Sequence, residues 1–222
     1  MISEDPFLHA RERMVATIER HAQGSASYTG FRKFSKQVLD AMGKVPREQF
    51  VPGDSRKYAY EDRAMSIGSG QTISQPYVVA LMVEALQINN QSNVLEIGSG
   101  CGYHAAVLSK IAKTVFSIDI VPELVEVAKK NLENYENVTV SCRNGRFGWA
   151  EHAPYDAISI PSASTDIPKI LIEHLKPDGK MILPIGAPGK TQTLTVVTKL
   201  KNGDTESKGI LPVVFVPFVE SR

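Results

Sequence analysis

The sequence predicts an α/β protein: a doubly wound, mostly parallel sheet of about seven strands, with an antiparallel C-terminal hairpin and an N-terminal helical extension. Three observations carry this. From Asn93 onward, short apolar β-branched runs alternate with helical patterns. The stretch Val94 to Tyr103, VLEIGSGCGY, reads as a strand that breaks into a glycine turn and opens a helix. The last two apolar runs are separated by KNGDTESKG, a polar turn that suits a hairpin at the sheet edge.

Taken in order, His9 to Ala22 sets Met14, Val15 and Ile18 against charged residues, which predicts an amphipathic helix. Gly24 to Gly30, GSASYTG, reads as a flexible connector. A second helix is expected over 31–42, with Phe34, Val38, Leu39 and Met42 on its apolar side. Residues 45–70 show no clear period. Their aromatic and charged residues suggest an ordered wall over a site. The segment then meets Pro76 at a first helical turn, with an apolar helix to Leu86. Beyond it the expected elements are strand 94–97, helix 104–112, strand 114–118, helix 122–134 and strand 138–142. A loop follows, then strand 156–160, helix 166–175, strand 180–185, and a final pair at 192–200 and 210–218.

At 222 residues the chain is long enough for one full core. Two parts of one structural unit are expected: residues 1–78 as helices and a substrate-side wall, residues 79–222 as a ligand-binding core. A net charge of +1 offers no bulk attraction to nucleic acid or membrane. No apolar run approaches the ~20 residues of a membrane span. MISEDPFLHARERM is too polar for a signal peptide. Cys101 and Cys142 are therefore expected to be reduced, in the cytoplasm. The five histidines have no short metal-ligand spacing, so no metal is expected. A hydrolase triad lacks its G-x-S-x-G turn.

The glycine turn limits the ligand. Its spacing is G-x-G-x-G, and a dinucleotide fingerprint would need glycine where Tyr103 stands. Glu96 precedes the turn, where a carboxylate suits an ammonium group better than a pyrophosphate. Asp119 ends the next strand, twenty-one residues past Gly98, placed to accept ribose hydroxyls. Two acids and three glycines, with no phosphate-binding lysine, describe a nucleoside with a cationic tail, S-adenosyl-L-methionine. Asn144 and the backbone of the loop RNGRFGWAEHAPYD, residues 143–156, are candidates for the adenine edge, against a polar surface turn anchored by Trp149. Local sequence alone reads Ser74 as a helix N-cap.

Longer motifs go further. VLDAMGKVPREQFVP, AYEDRAMSIGSGQTISQPYVVALM, VLEIGSGCGY, EHAPYDAI and LKPDGKMILPIG together resemble the protein-L-isoaspartate O-methyltransferase family, over residues 31 to 219. QTISQPY is the specific part, because many Rossmann-like methyltransferases share the glycine turn. The resemblance implies methyl transfer to the free α-carboxylate of L-isoaspartyl residues in age-damaged proteins and peptides. The methyl ester then collapses to a succinimide, which starts repair. It implies Ser74 as the active-site residue, with Thr72, Ile73 and Pro76 beside the substrate. It also implies that Glu96, Gly98, Ser99, Gly100, Gly102, Asp119, Ile120, Asn144 and Gly145 hold the cofactor, which leaves as S-adenosyl-L-homocysteine. A monomer is expected, with no nucleic-acid or membrane partner. Three departures stand out: Asn144 where the family usually has Asp, Pro161 and Ser162 within a usual T-A-A, and a longer 24–30 connector. Two other readings are a relative that methylates a different carboxylate and a non-catalytic binder. Retention of Ser74, Glu96 and Asp119 together speaks against the second.

Overall fold

Apolar β-branched runs without a polar face are stable as strands only when both faces are covered. The computed structural model, which describes residues 5–218, arranges them that way. In chain order the elements begin with α1 (Leu8–Thr29), α2 (Lys36–Lys44), β1 (Met65–Gly68), β2 (Gln71–Ile73) and α3 (Pro76–Leu86). They continue with β3 (Asn93–Ile97), α4 (Tyr103–Ser109), β4 (Thr114–Asp119), α5 (Pro122–Asn131), β5 (Val138–Cys142) and β6 (Tyr155–Ser159). The last are α6 (Lys169–Glu173), β7 (Leu175–Ile185), β8 (Gln192–Lys199) and β9 (Thr205–Val213).

Strands β3 to β9 form one sheet in the order β5-β4-β3-β6-β7-β8-β9. It is parallel from β5 to β7, and β8 and β9 close it antiparallel. The chain winds outward from β3 through β4 to β5, then restarts on the other side of β3 with β6. That reversal opens a crevice at the carboxyl ends of β3 and β6, beside the glycine turn. One apolar cluster covers one face and runs from Met14 and Ile18 of α1 through α3 and α4 to Val213. A second, around Trp149, Tyr155, Leu171 and Met181, covers the other. The expected sheet and helical extension are therefore present.

The expected 122–134 and 166–175 helices are shorter (α5, α6), and β7 begins at Leu175, ahead of the expected 180. Three further boundaries differ for clear physical reasons. Residues 24–29 are not a connector; they are the last turns of α1, which ends at Gly30 with φ +81°. Small residues there let α1 lie close to α3, and the Ser25 hydroxyl shares a hydrogen bond with the Tyr77 hydroxyl. The 31–42 helix starts later, at Lys36, because Glu84 holds the Ser35 amide and hydroxyl at 2.9 and 2.7 Å. The last strand spans Thr205–Val213 and not 210–218. Its first residues are exposed at the sheet edge, so the polar stretch read as turn is half strand. The apolar residues after it leave β9, and the Val216 carbonyl accepts from the Ala163 amide at 2.8 Å. Residues 45–70 are ordered, as two 3-10 turns (Arg47–Phe50, Gly53–Tyr58) and the β1–β2 hairpin.

Candidate active site

The glycine turn is built by backbone needs. Gly98, Gly100 and Gly102 have φ of +108°, +53° and +88°, which side chains rarely adopt. Gly102 is also a packing glycine, since an added Cβ would lie 2.8 Å from Leu132. The Gly98 and Ser99 amides both donate to the Ile118 carbonyl, which ties the turn to β4. Asp119 closes the other side: its carboxylate accepts from the Gly100 amide and the Val121 amide, each at 3.0 Å.

Two small cavities meet at this turn. One is lined by Ile97, Gly98, Ile118, Asp119, Ile120, Gly145 and Phe218 among others. Its lining is mostly apolar, with Gln71, Ser162 and a single acid, Asp119, which suits a nucleoside. Gly145 has no room for a side chain; a Cβ would come within 2.2 Å of Ile97 and 3.1 Å of the Phe218 ring. The second holds Thr72, Ile73, Ser74, Gly98, Ser99, Gly100, His104, Asp119 and Ser162. No lysine or arginine lines either cavity among the described residues, so the chemistry fits a nucleoside with a cationic tail and not a phosphate. On the outer side of Ser74 lies an open cleft of about 600 Å3 between α1, the start of α3 and residues 211–215. Thr72 and Ser74 line both the inner cavity and this cleft.

Ser74 is half-buried and is not the helix cap. Gln75 takes the N-cap position, and the Tyr77 amide donates to Asp62 at 2.8 Å. Asp62 also accepts from the Gln75 side chain at 2.9 Å and pairs with His21 Nδ1 at 2.7 Å. A carboxylate from the wall segment thus caps α3 and leaves the Ser74 hydroxyl without a hydrogen-bond partner among the described residues. At the start of α3, Pro76 has no amide hydrogen and that of Tyr77 is taken by Asp62, so neither donates beside Ser74. Behind Ser74, the fully buried Arg47 donates to its carbonyl at 2.7 Å and to the Ala59 carbonyl at 2.8 Å.

Four of the expected residues do not line either inner cavity: Glu96, Gly102, Asn144 and Pro76. The Asn144 amide oxygen accepts from the Arg146 amide at 2.9 Å and starts the 145–147 turn. Glu96 is fully buried between β4 and β6, and the Ser117 hydroxyl donates to one of its oxygens. Its other oxygen has no partner. Burial pushes this carboxyl up to about 8; the Ser117 hydroxyl opposes the rise and the Asp119 charge adds to it. Folded protein then keeps the proton from the ordinary carboxylate range up to about pH 8, while unfolded chain releases it. Stability should fall over that window, by up to about 1.4 kcal/mol per pH unit from this group. Glu96→Gln should remove the slope, so its stability relative to wild type should climb between pH 5 and 8. Urea unfolding at each pH measures this, and a constant difference would show that Glu96 is ionised in the fold.

Sequence reasoning missed several residues. His104 lines the inner cavity with Nε2 3.2 Å from the Ser159 hydroxyl, and burial holds it down at about 4. A neutral ring there puts no positive charge beside a site for a sulfonium. Its only early signal was its place one residue after the turn's Tyr103. Arg47 and Phe218 carry no specific local signal, and Asp62 is legible only as one of the charged residues of the 45–70 wall.

A family model described as protein-L-isoaspartate(D-aspartate) O-methyltransferase matches residues 28–222. The chain is 44% identical over 217 residues to protein-L-isoaspartate O-methyltransferase 2 of Syntrophobacter fumaroxidans, covering 97% of this chain and 88% of that one. It is 46% identical over 190 residues to the protein-L-isoaspartate O-methyltransferase of Methanothrix thermoacetophila, covering 83% and 89%. Among solved structures, a protein-L-isoaspartate O-methyltransferase superposes with a TM-score of 0.76 at 28% identity, covering 93% of this chain and 65% of that chain. A Plasmodium falciparum structure titled as a putative enzyme of the same name, in complex with S-adenosyl-L-homocysteine, shares the fold at TM-score 0.77 and 23% identity, covering 95% and 99%.

Proposed function

The chain belongs to the protein-L-isoaspartate(D-aspartate) O-methyltransferase family, and we propose from that membership how its residues carry the reaction. The protein transfers a methyl group from S-adenosyl-L-methionine to the free α-carboxylate of L-isoaspartyl residues in damaged proteins, which starts repair through a succinimide. The observation that carries our assignment is that Ser74 and Thr72 line both the inner cavity and the outer cleft. A polypeptide lying in the cleft brings its carboxylate to Ser74, and the cofactor lies behind it.

When bound, the cofactor supplies an electrophilic methyl group on a sulfonium sulfur. Gly98, Ser99 and Gly100 border its methionyl part, Asp119 takes the ribose, and Ile120 and Gly145 border the adenine. Asn144 holds the loop that presents Gly145. Gly102 packs the turn against α5, and Glu96 supports it from beneath. The substrate carboxylate is ionised at neutral pH and needs no strong base. Ser74 Oγ donates a hydrogen bond that fixes one carboxylate oxygen and turns the other toward the methyl group. Ile73 and Pro76 hold the backbone on either side of it. Arg47, through the Ser74 carbonyl, and Asp62, through the start of α3, set the direction of that hydroxyl. The work left to the protein is alignment and the exclusion of water.

We take residues 1–78 as the substrate side and 79–222 as the cofactor core of one unit, with residues 191 and 211–215 of the core completing the cleft. The single chain is taken as the working unit. The cysteines support a reducing compartment such as the cytoplasm: both are unpaired, and burial pushes the Cys101 thiol up to about 11. No helix among the described residues is long and apolar enough to cross a membrane.

The test is methyl transfer from labelled cofactor to matched isoaspartyl and aspartyl peptides, read as released methanol. Transfer to the isoaspartyl member alone is expected; equal or absent transfer would overturn the reading. For the cofactor, Asp119→Ala should weaken S-adenosyl-L-homocysteine binding by roughly 1–3 kcal/mol, the scale for charge-assisted hydrogen bonds. Unchanged affinity by calorimetry would remove Asp119 from the ribose site.

A further inference from the structure

The family model begins at residue 28, so all but the last two residues of α1 lie before it. Yet α1 builds one whole wall of the outer cleft. Arg20, His21, Gly24 and Ser25 line it, at the i, i+4 spacing that puts side chains of successive turns on one side of a helix. The helix is fixed there from both ends of this segment: His21 pairs with Asp62 at the cap of α3, and Ser25 shares a hydrogen bond with Tyr77. Gly24 faces open space, and a Cβ placed on it would meet nothing within 4 Å.

The charge of this wall is one-sided. Arg20 is exposed, lines the cleft, and has no ion-pair partner among the described residues. No aspartate or glutamate is among the cleft-lining residues. Asp62, whose partners His21 and Gln75 line the cleft, is already held by His21 and the start of α3. Resting on the assignment of the cleft to the polypeptide substrate, we propose that α1 is a specificity element, with Arg20 selecting acidic residues that flank the isoaspartyl position. The gap at Gly24 is the passage for the flanking chain. A carboxylate on that chain finds an unpaired guanidinium and no competing acid, whereas a lysine there meets like charge.

The test uses two isoaspartyl peptides of equal length, one with flanking glutamates and one with flanking lysines, and the aspartyl form of each. Wild type should favour the glutamate peptide in kcat/KM at low salt, and the preference should shrink as salt rises. Arg20→Glu should shift the glutamate-to-lysine ratio at least tenfold toward lysine. Gly24→Leu, which favours the helix and fills the passage, should raise KM for both peptides at least fivefold. S-adenosyl-L-homocysteine affinity, measured on both variants, should match wild type and verifies that they are folded. An unshifted ratio in Arg20→Glu, or an unchanged KM in folded Gly24→Leu, would overturn the role of α1 while leaving the reaction itself standing. Failure of wild type to separate isoaspartyl from aspartyl peptides would bring down both.

Discussion

Arg47→Ala should destabilise the protein by roughly 3–5 kcal/mol, the scale for breaking a buried charged network. Arg47 is fully buried, stacks over the Tyr103 ring at 4.6 Å, and joins the Ala59 and Ser74 carbonyls through two hydrogen bonds. Its guanidinium stays charged even there, although burial lowers its affinity for the proton. Truncation leaves the buried Ala59 carbonyl unpaired, at about 1–3 kcal/mol, and the half-buried Ser74 carbonyl at less, and opens a void beside Tyr103. Removing the desolvated charge offsets part of this, so the two terms do not simply add. Arg47→Lys should recover some stability but not both contacts, because an ammonium is a point donor without the planar fork. Methyl transfer per folded molecule should fall in both variants, since the Ser74 backbone loses its tether. Urea unfolding and a transfer rate on the same samples measure this. A loss under about 1 kcal/mol would show that the carbonyls find other partners.

The parts of this protein legible in its sequence are those whose causes are local. A β-branched run followed by Gly98, Gly100 and Gly102 specifies strand, turn and helix, because positive φ at those positions admits little else. The acid at 119 is legible for the same reason, as the end of the next strand. The rest depends on partners far away in the chain. Ser25, Ala26 and Ser27 look like a linker until Tyr77 gives that stretch something to pack on. Ser74 looks like a cap until Asp62, twelve residues earlier, is seen to fill that role. Phe218 reaches the crevice beside the glycine turn only because the chain leaves β9 at Val213 and pairs with Ala163. The exposed edge strand hid that departure, since Glu206, Ser207 and Lys208 bury nothing.

Ser74→Asp should fold normally, bind S-adenosyl-L-homocysteine, and lose methyl transfer almost completely. The cap reading demands the opposite, because aspartate caps a helix as well as serine does and suits its positive end. Asp62 already fills that place, so Ser74→Ala should change stability by less than the ~1 kcal/mol of a lost cap. The two substitutions then separate by magnitude in transfer. Alanine removes one hydrogen bond to a carboxylate, about 1.5–3 kcal/mol, which is roughly a ten- to hundredfold loss. Aspartate removes the donor and sets a second negative charge against the substrate carboxylate. At about 4 Å and an effective dielectric constant near 20 that repulsion is about 4 kcal/mol, close to another thousandfold. The inner cofactor cavity keeps its other lining groups, so the product analogue should bind both variants with near wild-type affinity. Melting curves, a product-analogue titration and transfer rates on an isoaspartyl peptide give the three readouts. The expected order of rates is wild type, then alanine, then aspartate. Equal rates in all three stable proteins would remove Ser74 from the chemistry and leave the cleft with another carboxylate-orienting group.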